Sequence, residues 1–238
     1  MAIGAIERLG RLATLGAADV AALEDAFADR RAYPARTDLV KEGYPAHGAL
    51  VLLSGWAGQY KATRMGIRQI TCVLMPGDID LLDVLTPDVL DYSICALTAV
   101  TVARVPKDKA RRLARDHPAI LEAVLRLQRM SETQLRDTVL NVSRRTAMDR
   151  LATQLLALWS RASDAGLIQN DQLALPLSQG DLADTVGLTP VHLNRTLQKL
   201  RATGLVVLRN GILRIPDPAA LARLAGCGLP VSRLKLVA

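Results

Sequence analysis

Between residues 34 and 105 the apolar positions fall in short runs, at 49–53, 59–62, 69–74, 92–96 and 100–105, separated by Gly, Pro and Asp. Evenly spaced runs of this length predict the strands of a sandwich or jelly roll, with Gly55, Gly58, Gly66 and Gly77 at the turns. The period turns helical on either side. Residues 18–32 predict a helix ahead of the strands, and Pro76-Gly77-Asp78 is a turn able to open a short helix over the barrel. From Lys107 to about Ala165 the pattern is helical again. Pro118 begins a long helix with Leu121, Val124, Leu125 and Leu127 near one stripe, packed on its own domain or shared between two subunits. Asn141 before Val142-Ser143-Arg144-Arg145 reads as a break, with Asn141 or Ser143 capping a next helix through Leu151, Leu155, Leu156 and Trp159.

The last third carries the most specific pattern, a helix-turn-helix over residues 178–202. Ser178 and Asp181 have capping-box spacing, with Asp in the place usual for Glu. Leu182, Ala183 and Val186 give the first helix one apolar face, and Gly187 supplies the tight turn. Thr189 caps a second helix whose first residue is Pro190, where a missing N–H costs nothing. At 100° per residue, Leu193, Leu197 and Leu200 form one buried stripe. The opposite face then centres on Val191 and Arg195, with Gln198 beside them and His192, Asn194 and Lys199 on the flanks.

A helix of this kind in a major groove aims Arg195 at guanine O6 and N7, Val191 at a thymine methyl, and Gln198 or Asn194 at adenine. Lys199 and Arg201 suit phosphates, as do the flanking Ser178, Gln179, Thr189 and His192. Downstream, apolar runs at 205–208 and 212–215 flank Arg209-Asn210-Gly211. Asn-Gly is a strong hairpin signal, and a hairpin directly after a recognition helix is a wing, with Arg209 and Arg214 able to reach the DNA backbone.

Charge follows the same division. Residues 1–140 carry 18 basic and 17 acidic side chains, whereas residues 141–238 carry 12 and 6. The excess of the +7 net charge therefore sits with the helix-turn-helix, where a polyanionic partner requires it. No stretch approaches the roughly 18 uncharged apolar residues of a membrane span, and no signal-peptide core follows Met1. Three scattered cysteines, Cys72, Cys95 and Cys227, make neither a disulfide framework nor a zinc-ligand pattern. The sequence reads as a cytoplasmic protein.

The stretches 53–57, 66–70, 75–78, 96–98, 151–156 and 182–205 together resemble the Crp/Fnr family of bacterial transcription regulators over about residues 20–225. The resemblance implies an α+β chain: an N-terminal cyclic-nucleotide-binding-like β-roll (a double-stranded β-helix, or jelly roll) at 1–117, a long dimerisation helix and hinge at 118–141, and a C-terminal winged helix-turn-helix at 142–238. It further implies a homodimer on a palindromic duplex site, RNA polymerase as a protein partner, no enzymatic activity, and Asn141 as the hinge. Arg195 matches the family's guanine-contacting arginine. Val191 stands where members often carry a glutamate that accepts from cytosine, so their half-site does not transfer. Pro190 replaces another contact residue, and Asn194 sits where some members use serine.

The sensor side departs further. Members that bind cyclic nucleotides use a Gly-Glu pair for the ribose and an Arg-Ser or Arg-Thr pair for the phosphate. The corresponding candidate effector pocket here comprises Gly77, Asp78, Asp80, Leu81, Tyr92 and Ser93, with no Lys or Arg between Arg68 and Arg104. Asp78, Asp80, Asp83, Asp88 and Asp91 argue against an anionic ligand, cyclic AMP included, and read most simply as a solvated loop. An iron–sulfur cluster needs four organised thiolates, and the chain has three. A haem sensor needs only one ligand, and His47 and His117 are the candidates, each better read as a surface or capping residue. Cys72 and Cys95 read as core residues rather than a redox pair. Three classes compete: a DNA-binding regulator (constitutive, haem- or redox-responsive, or bound to an unknown small molecule), a cupin-like barrel enzyme, and an interaction module whose helical domain no longer binds DNA.

Overall fold

The computed structural model describes residues 3–45, 48–81 and 89–228. The chain forms two compact units, residues 1–61 with 72–132 and residues 62–71 with 133–238. In chain order the first elements are α1 (Ile3–Gly10), α2 (Ala17–Ala26), β1 (Arg30–Tyr33), β2 (Asp38–Val40), β3 (Gly48–Ser54), β4 (Ala57–Ala62), β5 (Arg68–Leu74), β6 (Ile79–Asp80), β7 (Ser93–Ala96) and β8 (Val100–Pro106). These strands make two four-stranded sheets of order β1-β8-β3-β6 and β2-β7-β4-β5. Their shared core holds Leu39, Leu50, Leu52, Ile94, Val100 and Val102, so the expected roll is present.

Strand β3 explains how the roll joins the helices. It pairs antiparallel with β8, Leu50 opposite Arg104 and Leu52 opposite Val102. Alternate side chains of a strand face opposite ways, so Leu50 and Leu52 enter the roll while Ala49 and Val51 face outward. Those outward residues are buried too, because α1 and α3 (Lys107–Asp116) pack on the outer face of β3. A sheet covered on both sides reads as a continuous apolar run, which is the 49–53 pattern. The turn out of β3 needs Gly55. Its φ is +78°, and a Cβ there would stand 2.1 Å from the Ala99 carbonyl oxygen.

Three local expectations change. The helix expected over 18–32 stops at Ala26, and Arg30–Tyr33 becomes an edge strand paired with residues 100–103 of β8. Pairing with a distant strand outweighs the weak helical periodicity of that segment. Pro76-Gly77-Asp78 opens no helix. It turns the chain into β6, with the Gly77 N–H bonded to the Leu52 carbonyl at 2.8 Å. The long helix α4 (Pro118–Arg144) does not break at Asn141. Buried Asn141 instead donates through Nδ2 to the Arg150 carbonyl at 3.2 Å, and the next helix, α5 (Ala147–Asp164), is capped by Thr146. Neither Asn141 nor Ser143 is the cap.

The second unit is built on α5, whose Leu151, Leu155, Leu156 and Leu158 are each at most 1% exposed. Around it lie β9 (Ile168–Gln169), β10 (Gln172–Ala174), α6 (Gln179–Val186), α7 (Pro190–Ala202), β11 (Val207–Arg209), β12 (Ile212–Arg214) and α8 (Pro218–Leu224). Helices α6, α7 and α8 all pack on α5. The four short strands form one antiparallel sheet, β11-β12-β10-β9. Its β9–β10 hairpin turns through Asn170 and Asp171, both at positive φ, and was not expected.

Candidate nucleic-acid interface

The start of α6 is fixed by reciprocal bonds. Ser178 Oγ accepts from the Asp181 N–H at 3.1 Å, while Asp181 Oδ2 accepts from the Ser178 N–H at 3.2 Å and from its hydroxyl at 2.6 Å. Asp181 is buried, and its other carboxylate oxygen accepts from Arg68 Nη2 at 2.8 Å. Arg68 Nε donates to Asp184 Oδ2 at 2.7 Å, so one guanidinium ties two carboxylates of α6. Burial lowers the Arg68 pKa, but the bonds and charges of Asp184 and Asp181 outweigh it and leave the group above its ordinary value. Gly187, left-handed at φ +65°, ends α6.

Thr189 then caps α7 by accepting from the His192 N–H at 3.2 Å, with Pro190 in the first turn. Leu193, Leu197 and Leu200 are at most 3% exposed, which fixes the rotation of α7 about its axis. That rotation leaves Val191 65% exposed. His192, Arg195, Gln198 and Lys199 are exposed with it. The face inferred from the heptad-like leucine spacing is therefore the face presented. The wing also forms as expected. Asn210 and Gly211 are at φ +49° and +74°, the two positive values that a two-residue hairpin turn needs, and Arg209 and Arg214 are exposed on it.

Asn194, Gln179 and Arg201, all expected to face DNA, are engaged within the chain. Asn194 Nδ2 donates to Gln179 Oε1 at 2.7 Å, linking α7 to the start of α6, so neither side chain projects freely. Arg201 donates through Nη2 to the Leu208 carbonyl at the base of the wing while its side chain stays exposed. At the helix junction Arg145 Nη1 donates to the Thr153 hydroxyl at 2.8 Å and the Ala225 carbonyl at 2.7 Å. The Asn141 Oδ1 beside it is buried without a hydrogen bond.

The polar candidate effector residues are each bonded within the first unit. Asp78 is 3% exposed, pairs with Arg8 of α1, and accepts from the Met75 N–H at 2.8 Å. Asp80 accepts from the Tyr92 hydroxyl at 2.6 Å and from Gln59 Nε2 at 3.4 Å. Ser93 Oγ accepts from the Glu42 N–H at 3.0 Å. The reading of a solvated aspartate loop is thus corrected for Asp78 and Asp80, which are buried and bonded. Asp83, Asp88 and His47 lie outside the described residues. His117 Nδ1 lies 2.8 Å from Asp19 Oδ1. The Gly16 backbone N–H, and then His117, hold the Asp19 carboxyl below its usual range. Cys72, Cys95 and Cys227 form no disulfide among the described residues. No described helix is long and apolar enough to cross a membrane.

Two family models match the chain, one toward each end. Residues 149–224 match the Crp-like helix-turn-helix domain, and residues 30–117 match the cyclic nucleotide-binding domain. The chain is 32% identical over 174 residues to the nitrogen fixation regulation protein FixK of Bradyrhizobium diazoefficiens, across 73% of this chain and 72% of that protein. It is 25% identical over 213 residues to the transcriptional activator protein FnrA of Stutzerimonas stutzeri, across 90% and 87%. Among solved structures, FixK2 from Bradyrhizobium japonicum superposes with a TM-score of 0.73 at 24% identity, covering 82% of this chain and 96% of that one.

Proposed function

The chain belongs to the Crp/Fnr family of bacterial DNA-binding transcription regulators, and we propose that it works as a homodimer reading a two-fold-symmetric duplex site. The family consists of regulators, not enzymes. The observation that carries the reading is the burial of Leu193, Leu197 and Leu200, which turns Val191, Arg195 and Gln198 outward on a helix with a basic wing behind it. In this reading Arg195 and Val191 meet base edges, and Lys199, Arg209 and Arg214 meet phosphates. Asn194 and Gln179 act as a pair that sets the helix against the backbone. RNA polymerase is the protein partner that family membership suggests.

Support for the dimer comes from α4. Leu125, Leu135, Val139 and Leu140 are 50–57% exposed on one helix, an arrangement that costs solvation unless a second helix covers it. Asn141, buried at the α4–α5 junction and bonded to Arg150, is the proposed hinge. The roll is proposed not to respond to cyclic AMP, because Asp78 and Asp80 bring buried carboxylates to the region where a phosphate would sit.

Selection of bound duplexes from random DNA, with protein purified without added ligand, tests this directly. The expected product is a palindrome with half-sites about 10 base pairs apart, centre to centre. Enrichment of a single asymmetric half-site would remove the dimer, and no enrichment would remove ligand-independent DNA reading.

A further inference from the structure

On the outer side of the β1-β8-β3-β6 sheet the first unit forms a cavity of about 200 Å³ that opens to solvent on one side, past Leu125 and Gln128. Among its walls are Leu23 and Phe27 of α2, Val51 of β3, Val105 of β8, Leu113 of α3 and Val124 of α4. Of the sixteen lining residues fifteen are apolar, and the exception, Gln128, is exposed and stands on α4. This is not the interior of the roll. On β3, Val51 faces the cavity while Leu50 and Leu52 face the roll core. On β6, Ile79 faces the cavity, while Asp80 bonds Tyr92 and Gln59. Leu81, expected to face an effector within the roll, lines the cavity instead.

We infer that this cavity is a binding site for a small uncharged apolar molecule, a single-ring aromatic or a short hydrocarbon. An apolar wall left facing water costs about 25 cal/mol per Å², which an apolar occupant recovers by covering it. Apolar cavities of about 150 Å³ stay dry and take up benzene, so this one is large enough for a substituted ring. Pockets for drug-sized ligands run to about 300–1,000 Å³, which sets the upper limit of the occupant. A carboxylate or phosphate would be buried with no counter-charge in the wall, which excludes anions. Gln128 at the rim can bond one hydroxyl or carbonyl of an otherwise apolar ring. Because Ile120, Leu121, Val124 and Leu125 belong to α4, the occupant would touch the helix proposed to form the dimer seam. Ligand binding itself stands apart from the DNA reading and is measured without DNA.

The test titrates the full-length protein with toluene and follows valine, leucine and isoleucine methyl resonances by NMR. Saturable shifts confined to Val51, Val105, Leu113, Val124 and their neighbours are expected. Benzoate at the same concentration is expected to leave them in place. Ala114→Leu and, separately, Ala110→Leu extend side chains of the cavity wall into the void and are expected to weaken toluene binding at least tenfold with the remaining spectrum unchanged. Non-saturating shifts up to the solubility of toluene, shifts spread over both units, or equal affinity in a folded variant would each overturn the assignment.

Discussion

Replacing Asp181 by alanine removes the residue on which the start of the reading head depends. Its carboxylate closes the capping box with Ser178 and holds Arg68, at 1% exposure. Loss of a capping box costs about 1 kcal/mol. Loss of a hydrogen bond to a charged group costs about 1.5–3 kcal/mol, and the lower end applies because Arg68 keeps Asp184. Together the second unit should lose about 2.5 kcal/mol, which lowers a urea midpoint by about 1 M at an ordinary slope. Each unit carries one tryptophan, Trp56 in the first and Trp159 in α5. In a Trp56→Phe background the fluorescence of Trp159 therefore reports the second unit alone. Ser178→Ala in the same background should cost about 1 kcal/mol, because it leaves the Arg68 pair in place. A loss below about 0.5 kcal/mol for Asp181→Ala is what an ordinary surface position gives, and it would refute the argument that this carboxylate organises α6.

Arg195→Ala should abolish discrimination at one base pair of each half-site, worth about 1–3 kcal/mol, in fluorescence-anisotropy titrations over a panel of single-base variants. The variant should keep its fold, because Arg195 is exposed on α7 and lies off the buried leucine stripe. Lys199→Ala should instead weaken every sequence alike and reduce the slope of log K against log salt by about 1 per half-site. A sequence-dependent loss for Lys199→Ala would exchange the two roles. Cyclic AMP at saturating concentration should leave the affinity for the selected duplex unchanged. A tenfold increase would show that the buried aspartates do not exclude it.

The helix-turn-helix was legible because its caps, its turn and its buried stripe are local, although the tie from Arg68 to α6 is not. Ser178, Asp181, Gly187, Thr189 and Pro190 lie within thirteen consecutive residues, and each acts on its own turn of backbone. Leucines at 193, 197 and 200 then fix which face is left over. The long runs of the roll were legible for a similar reason, since β3 and β8 are apolar along most of their length. What escaped depends on distant partners. Strands β2 and β6 have three and two residues, too few to show a period. Asp78 and Asp80 looked solvated because Arg8 lies seventy residues from Asp78 in sequence, and no local pattern announces it. Asn141 sits in a stretch that scans as a break, yet its Nδ2 donates across the junction to the Arg150 carbonyl and the helix runs on to Arg144. The β9–β10 turn did carry a local signal, Asn170-Asp171, two residue types that tolerate positive φ.

The central claim is that α7 reads base edges in the major groove through Arg195. Methylation interference at guanine N7 on the selected duplex tests it most directly, because the methyl group occupies the major-groove acceptor that the guanidinium would use. One guanine in each half-site should become intolerant of methylation with the native protein, and the same guanine should become tolerant with Arg195→Ala. If no guanine interferes, or if the variant is as sensitive as the native protein, α7 does not read DNA through Arg195.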